Sequence, residues 1–314
     1  MPRIWITRDI TLDAEAYLTQ RGFAVVRRET ADRRCQPEEL AGFDGVLSMG
    51  VHYPGDVLRA NKQLKIIALA SAGYDFVDVA CAKALGIQVT NAPNANARSV
   101  AEHTAMLILA CAKDLAYAAR CKQTNDWDAR LNHYTRDLAG ATLGLIGCGS
   151  IGREVAQIMH DGLRMEVLAY RRSGRRATLP AYIRVTESLD ELYACADVLS
   201  LHVPLTPETE GMIDRAALSK MKPSAILINC ARGRVVCQHA LTEALQSGTI
   251  AFAGLDVLEC EPPDAADPLR TLPNVILTPH NAAITKRTTE RVCRMAAQNI
   301  EAVFAGKPPL HAVY

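Results

Sequence analysis

The sequence predicts an α/β protein built on parallel sheets with helices on both faces. Short apolar runs alternate with helical patterns through the first third, and a second alternation of the same style begins near residue 142. Length points the same way: 314 residues exceed one ordinary small domain and suit two, of roughly 100–200 residues each.

In the first alternation, RIWIT (3–7), FAVV (23–26), GVLSM (45–49), LKIIALA (64–70) and IQVTN (87–91) read as strands. Residues 11–21, 54–62 and 76–85 between them read as helices, with Gly22 and Gly86 where helices should stop. A long helix is expected over 98–122, capped by Ser99 with Glu102 as the return partner of a capping box. The second alternation has seven apolar runs: 142–147, 166–170, 183–186, 198–203, 225–231, 251–257 and 275–280. An amphipathic helix over about 285–305 ends at Gly306 and two prolines.

Composition excludes several classes. A net charge of +1 gives no bulk attraction to nucleic acid or an anionic membrane. Hydrophobic residues at 49 % and charged ones at 22 % suit a globular core. No window approaches the ~18 apolar residues of a membrane span, and MPRIWITRDI does not read as a signal peptide. The ten cysteines are scattered without a CxxC pair, several inside apolar runs. They read as buried thiols of a reducing compartment, so no structural metal and a cytoplasmic location are expected.

Residues 144–152, GLIGCGSIG, hold the strongest local signal: Gly147, Gly149 and Gly152 form GxGxxG after a strand and open a helix over Ile151–His160. That context suits a dinucleotide. Gly147 permits the tight turn, Gly149 lets backbone approach a pyrophosphate, and Gly152 lets helix and strand pack closely. The helix start at Ser150 and Ile151 offers unpaired N–H groups to the anion. Sites preferring NAD place an acidic residue about 20 positions on, to accept from the ribose 2′-hydroxyl. Here Arg171 stands there, with Arg172, Arg175 and Arg176 following. Guanidinium groups suit a 2′-phosphate, so NADP(H) is expected over NAD(H), which stays possible.

Three later segments carry reactive side chains near strand ends, where ligands of open parallel sheets sit: Arg232 in INCARGRVV, Asp256, Glu259 and Glu261 in GLDVLECEPP, and His280 in LTPHNAA. With SAGYDFVDV (71–79), NANARSVAEH (94–103), LHVPLTPET (201–209) and GKPPL (306–310), these motifs run through nearly the whole chain. The sequence resembles the D-isomer-specific 2-hydroxyacid dehydrogenases, which include glyoxylate/hydroxypyruvate reductases and 3-phosphoglycerate dehydrogenase.

The resemblance implies two Rossmann-like, doubly wound parallel-sheet domains. A dinucleotide-binding domain (98–285) would be inserted into a discontinuous substrate domain (1–97 and 286–314), with hinges near Asn94–Ser99 and Ala283–Arg287. It implies that Arg232 holds the substrate's carboxylate and 2-oxo oxygen, and that His280 is the acid in reduction, paired with Glu261. A carboxylate beside imidazole favours the protonated ring, and a guanidinium offers two parallel N–H bonds to a carboxylate. The loop at Ser71, Ala72 and Gly73 would offer amides to the substrate. Val203, Pro204 and Cys230 would line the cofactor groove, and Asp256 would hold the nicotinamide carboxamide. Glu259 reads as a solvated neighbour, Asp197 as shaping a strand entry, and His103 and His202 as structural.

The activity implied is hydride transfer between NADP(H) and a small 2-oxo or 2-hydroxy acid such as glyoxylate or hydroxypyruvate. An NAD-linked dehydrogenase of another 2-hydroxy acid, or a nucleotide-sensing corepressor, are the alternatives. A homodimer through the cofactor domain is implied, with the 98–122 helix taking part. Two features depart from relatives. Asn281-Ala282-Ala283 follows TPH, and 48–52 lacks the arginine common in phosphoglycerate dehydrogenases. No C-terminal regulatory domain is expected after the last helix.

Overall fold

The computed structural model describes residues 1–29, 33–171 and 179–314. Contacts divide the chain into two units, Met1–Asn96 with Ile284–Tyr314, and Ala97–Ala283.

The first unit runs β1 (Arg3–Ile6), α1 (Leu12–Gln20), β2 (Ala24–Arg27), β3 (Gly45–Ser48), α2 (Gly55–Ala60), β4 (Ile66–Leu69), α3 (Val79–Ala84) and β5 (Gln88–Thr90). Its strands form one parallel sheet in the order β2-β1-β3-β4-β5. β1 sits mid-sheet because its run is apolar on both faces: Ile4 and Ile6 enter one core, Trp5 the other. On the Ile4 side pack α1 and the chain's last helix, Lys286–Phe304, through Leu18, Val292, Ala296 and Ile300. On the Trp5 side pack Tyr53, Leu58 and Ala82. Thr11 caps α1 by accepting from the Ala14 amide at 3.4 Å, and Asp78 caps α3 by accepting from Cys81 at 2.9 Å. Gly22 and Gly86, with φ of 82° and 74°, take the left-handed turns that end these two helices.

The second unit runs α4 (Ala97–Ala112), α5 (Leu115–Thr124), β6 (Thr142–Ile146), α6 (Ser150–Gln157), β7 (Glu166–Tyr170), β8 (Ile183–Thr186), α7 (Leu189–Cys195), β9 (Val198–Leu201), α8 (Arg215–Ser219), β10 (Ile226–Asn229), α9 (Gln238–Ser247), β11 (Phe252–Leu255) and β12 (Val275–Leu277). The last helix, returning to the first unit, is α10. The seven strands pair in parallel as β12-β11-β10-β9-β6-β7-β8. Leu107 and Ile108 of α4 and Val155 of α6 cover one face; Leu192, Leu218 and Leu241 of α7, α8 and α9 cover the other. The order reverses around β6, which has β7 on one side and β9 on the other. Such a reversal opens a crevice at the carboxyl ends of the strands.

Each predicted strand is present, shortened by a residue or more at several ends. The single helix expected over 98–122 is instead two. Asp114 takes a left-handed conformation (φ 43°), and its Oδ1 accepts from the Tyr117 amide at 3.1 Å, ending one helix and capping the next. Ser99 does not cap, because α4 already begins at Ala97. Glu102 receives Arg98 Nε at 2.8 Å instead of closing a capping box. The helix after the glycine motif keeps α geometry only to Gln157 and continues as a π-helical turn, Ile158–Gly162. Among the described residues no helix is long and apolar enough to cross a membrane. All ten cysteines are free thiols.

Candidate active site

The glycine motif closes β6 and opens α6 at the point where strand order reverses. Gly147 has φ 95°, and a Cβ there would stand 2.5 Å from the His202 carbonyl oxygen. A Cβ on Gly152 would stand 2.3 Å from the Gly147 oxygen. Any side chain at either position would force backbone apart. Gly149 differs: among the described residues, nothing beyond its immediate chain neighbours lies within 4 Å of where its Cβ would be. The protein's own packing does not demand glycine there, and the open approach suits a bulky anion over the amides that begin α6 at Ser150 and Ile151. These residues therefore fit a dinucleotide. Arg171 follows β7 directly, its amide donating to the Thr186 oxygen at 3.1 Å. Arg172, Arg175 and Arg176 lie outside the described residues.

Val203 and Pro204 follow β9, Val203 half-buried and Pro204 exposed. Burial pushes the Cys230 thiol, just past β10, up to about 12, against a smaller opposing effect of the Thr104 hydroxyl. Such a thiol stays protonated and unreactive. His202 hydrogen-bonds Ser200 Oγ at 3.0 Å through Nε2, while Nδ1 is shut from solvent without a hydrogen-bond partner among the described residues. Burial lowers its pKa to about 4, so the ring is neutral beneath the glycine loop. Asp197 does shape a strand entry: it accepts from the Thr142 amide at 2.8 Å and pairs with Lys222 at 2.7 Å.

The loops after β10, β11 and β12 are stitched to one another. Asn229 ends β10, and its side chain braces the Arg232 turn at both ends, accepting from Ala231 N at 3.0 Å and donating to Arg232 O at 2.9 Å. The next residue, Gly233, presses on the β11 loop so closely that a Cβ would fall 1.9 Å from Leu258 O. Leu258 N donates to Glu261 Oε1 at 3.0 Å, and Glu261 Oε2 meets His280 Nδ1 at 2.7 Å. Arg232, Glu261 and His280 thus belong to one connected set of turns.

An ionised carboxylate only accepts, so the His280 proton facing Glu261 sits on Nδ1 and leaves Nε2 for another partner. The His280 side chain is 51 % exposed, so its ring is open to a small molecule. At that exposure the ion pair adds at most ~1 kcal/mol to stability; its role is orientation. His280 also has φ 51°, a left-handed conformation that costs a β-carbon residue about 1–3 kcal/mol. Glu259, expected as a solvated neighbour, is exposed but caps α9, accepting from Gln238 N at 2.7 Å.

Asp256, just past β11, is 2 % exposed. Its Oδ1 accepts from the Thr278 hydroxyl at 2.6 Å and from Asn281 N at 2.9 Å, and its Oδ2 accepts from Ala282 N at 2.9 Å. His103, on α4, places Nε2 2.9 Å from Thr278 Oγ1. Nothing in the sequence linked residues 103 and 278; the partnership exists only because α4 packs beside β11 and β12. The Ser71–Gly73 loop belongs to the first unit. Ser71 Oγ donates to Gly73 O at 2.8 Å, and Asn91 Nδ2 donates to Ala72 O at 2.7 Å.

Comparison with known proteins agrees with this architecture. Residues 105–282 match the family described as D-isomer specific 2-hydroxyacid dehydrogenase, NAD binding domain. A D-3-phosphoglycerate dehydrogenase of Archaeoglobus fulgidus is 35 % identical across 99 % of this chain, which spans 59 % of that protein's length. A glycerate dehydrogenase of Methylorubrum extorquens is 38 % identical over 86 % of each chain. The structure of an NADPH-dependent glyoxylate/hydroxypyruvate reductase from Sinorhizobium meliloti, in complex with NADP and malonate, matches with a TM-score of 0.86. Identity there is 30 %, over 99 % of this chain and 96 % of that one. The chain belongs to the D-isomer specific 2-hydroxyacid dehydrogenase family, whose members are NAD(P)-dependent enzymes.

Proposed function

We propose that this protein is an NADP(H)-dependent reductase of small 2-oxo acids such as glyoxylate or hydroxypyruvate. The observation that carries the reading is the Glu261–His280 pair, 2.7 Å apart, which joins the loops after β11 and β12, the first of them packed against the Arg232 turn. Arg232 binds the substrate carboxylate through its fork of N–H donors and directs positive charge at the carbonyl oxygen. His280 holds a proton on Nε2 at that oxygen and releases it as the alcohol forms, while Glu261 holds the ring in place through Nδ1. When bound, the reduced nicotinamide supplies the hydride that completes the two-electron reduction. Gly147, Gly149 and Gly152, with the start of α6, hold the pyrophosphate.

NADP(H) preference rests on Arg171, which stands where an acidic residue would accept from a 2′-hydroxyl, and draws support from the NADPH-dependent Sinorhizobium relative. Steady-state kcat/KM with NADPH and NADH decides it. NADPH should win, and Arg171→Asp should move preference toward NADH; an NADH preference in the wild type discards the assignment. A peptide-binding nucleotide sensor would bind NADPH yet turn over no member of a 2-oxo acid panel.

The same reading makes the chain a cytoplasmic homodimer joined through the second unit. Met106, Leu109, Leu115, Trp127, Leu131 and Tyr134 are exposed there, an apolar surface that a second copy would cover. Size-exclusion chromatography with light scattering should give twice the 34.1 kDa chain mass. A monomer at micromolar concentration sinks this part.

A further inference from the structure

His280 occupies a left-handed backbone conformation that residues carrying a Cβ adopt uncommonly, so contacts around it must hold it there. The hydrogen bonds around Asp256 identify the holder. His280 N donates to Asp256 O at 2.9 Å, continuing the β11–β12 ladder past its end. The Asp256 carboxylate then takes the next two amides, Asn281 N on Oδ1 and Ala282 N on Oδ2. Both sides of the strained residue are therefore tied to Asp256, the near side through its backbone carbonyl and the far side through its carboxylate.

That carboxylate is itself fixed. Thr278 has one hydroxyl proton, and its 2.6 Å bond spends that proton on Asp256 Oδ1. The Thr278 oxygen must then accept in its 2.9 Å contact with His103 Nε2, which sets the histidine tautomer with the proton on Nε2. The order is His103 N–H to Thr278 O–H to Asp256 carboxylate. These bonds take three of the roughly four acceptor positions of a carboxylate. Asp256, assigned from sequence to the nicotinamide carboxamide, spends most of its acceptor capacity on the neighbouring loop after β12. His103 comes from rigid α4, so the series ends in a helix and not in another loop.

We infer that His103 and Thr278 are positioning residues: through Asp256 they fix the backbone turn that aims His280 at the substrate. The inference rests on the proposed role of His280, but its structural half does not. Removing the Thr278 hydroxyl takes away the shortest bond on Oδ1 and leaves His103 Nε2 at 3.4 Å from that oxygen, which loosens the carboxylate's hold on the two amides and lets the imidazole wander. A displacement of about 1 Å at a reacting group costs roughly 100-fold in rate.

The experiment compares wild type, Thr278→Val, Thr278→Ser and His280→Ala in two measurements. Amide hydrogen exchange is followed over residues 279–283, and turnover of glyoxylate and hydroxypyruvate is measured beside NADPH affinity. Thr278→Val should speed exchange in that segment about fivefold or more, the equivalent of one lost hydrogen bond. It should lower kcat about 100-fold while NADPH affinity is unchanged. Thr278→Ser, which keeps the hydroxyl, should restore both. Unchanged exchange in Thr278→Val overturns the inference, as does weakened NADPH binding with kcat intact. If wild type turns over no 2-oxo acid, or His280→Ala is fully active, the reading of the enzyme fails. The exchange result then judges the positioning claim alone.

Discussion

The two units obey the same layer rule and end in different chemistry. Each is a parallel sheet with an apolar cluster on either face. In the first, the loop after β4 is closed by neutral groups: Ser71 bonds to Gly73, and Asn91 reaches over to Ala72. In the second, the loops after β6, β10, β11 and β12 present a glycine cradle, Arg232, Glu261 and His280. Architecture therefore does not distinguish them. The side chains at the carboxyl ends of the strands do, and function is argued from there.

The sharpest way to break this contrast is His280→Ala. If the second unit's loops carry the chemistry, kcat should fall about 10³-fold, the range of a lost general acid. Binding of NADPH and the thermal midpoint should stay near wild type, because the ring is half exposed and holds no core together. A variant that keeps its rate would return the two units to equal standing.

A smaller effect sharpens the contrast through acid stability. His202, just past β9 of the second unit, has its pKa lowered to about 4 by burial, against 6.5 for the free group. Between those values the unfolded chain binds a proton that the folded chain refuses. Stability should therefore fall as pH drops from about 6.5 toward 4, by about 3 kcal/mol in all. Urea denaturation at pH 7 and pH 4.5 should show His202→Gln losing less over that interval than wild type. Equal losses would mean that this histidine does not shape the acid limb.

Most strands were readable because their side chains are buried on both faces, which leaves unbroken apolar runs such as IIAL. Helix limits were harder. Asp114 carried a capping signal, but its neighbours on both sides are good helix formers and masked the break. Arg98 was equally visible and its pair with Glu102 is local to α4, yet its hold on Glu154 depends on α6 lying alongside α4. At the site, Arg232, Glu261 and His280 announced themselves through ordered motifs. The His103–Thr278 bond spans 175 positions and follows no local period, so only packing reveals it.

The last helix has a consequence in time. Val292, Cys293, Ala296, Ala297 and Ile300 complete a core begun by Ile4, Ile6 and Leu18. During synthesis, which proceeds from the amino end, the ribosome has already delivered every residue of the inserted unit before those five emerge. The unit whose strands are made before the inserted one is thus completed after it, and its finished sheet lacks one packing helix until α10 has been added.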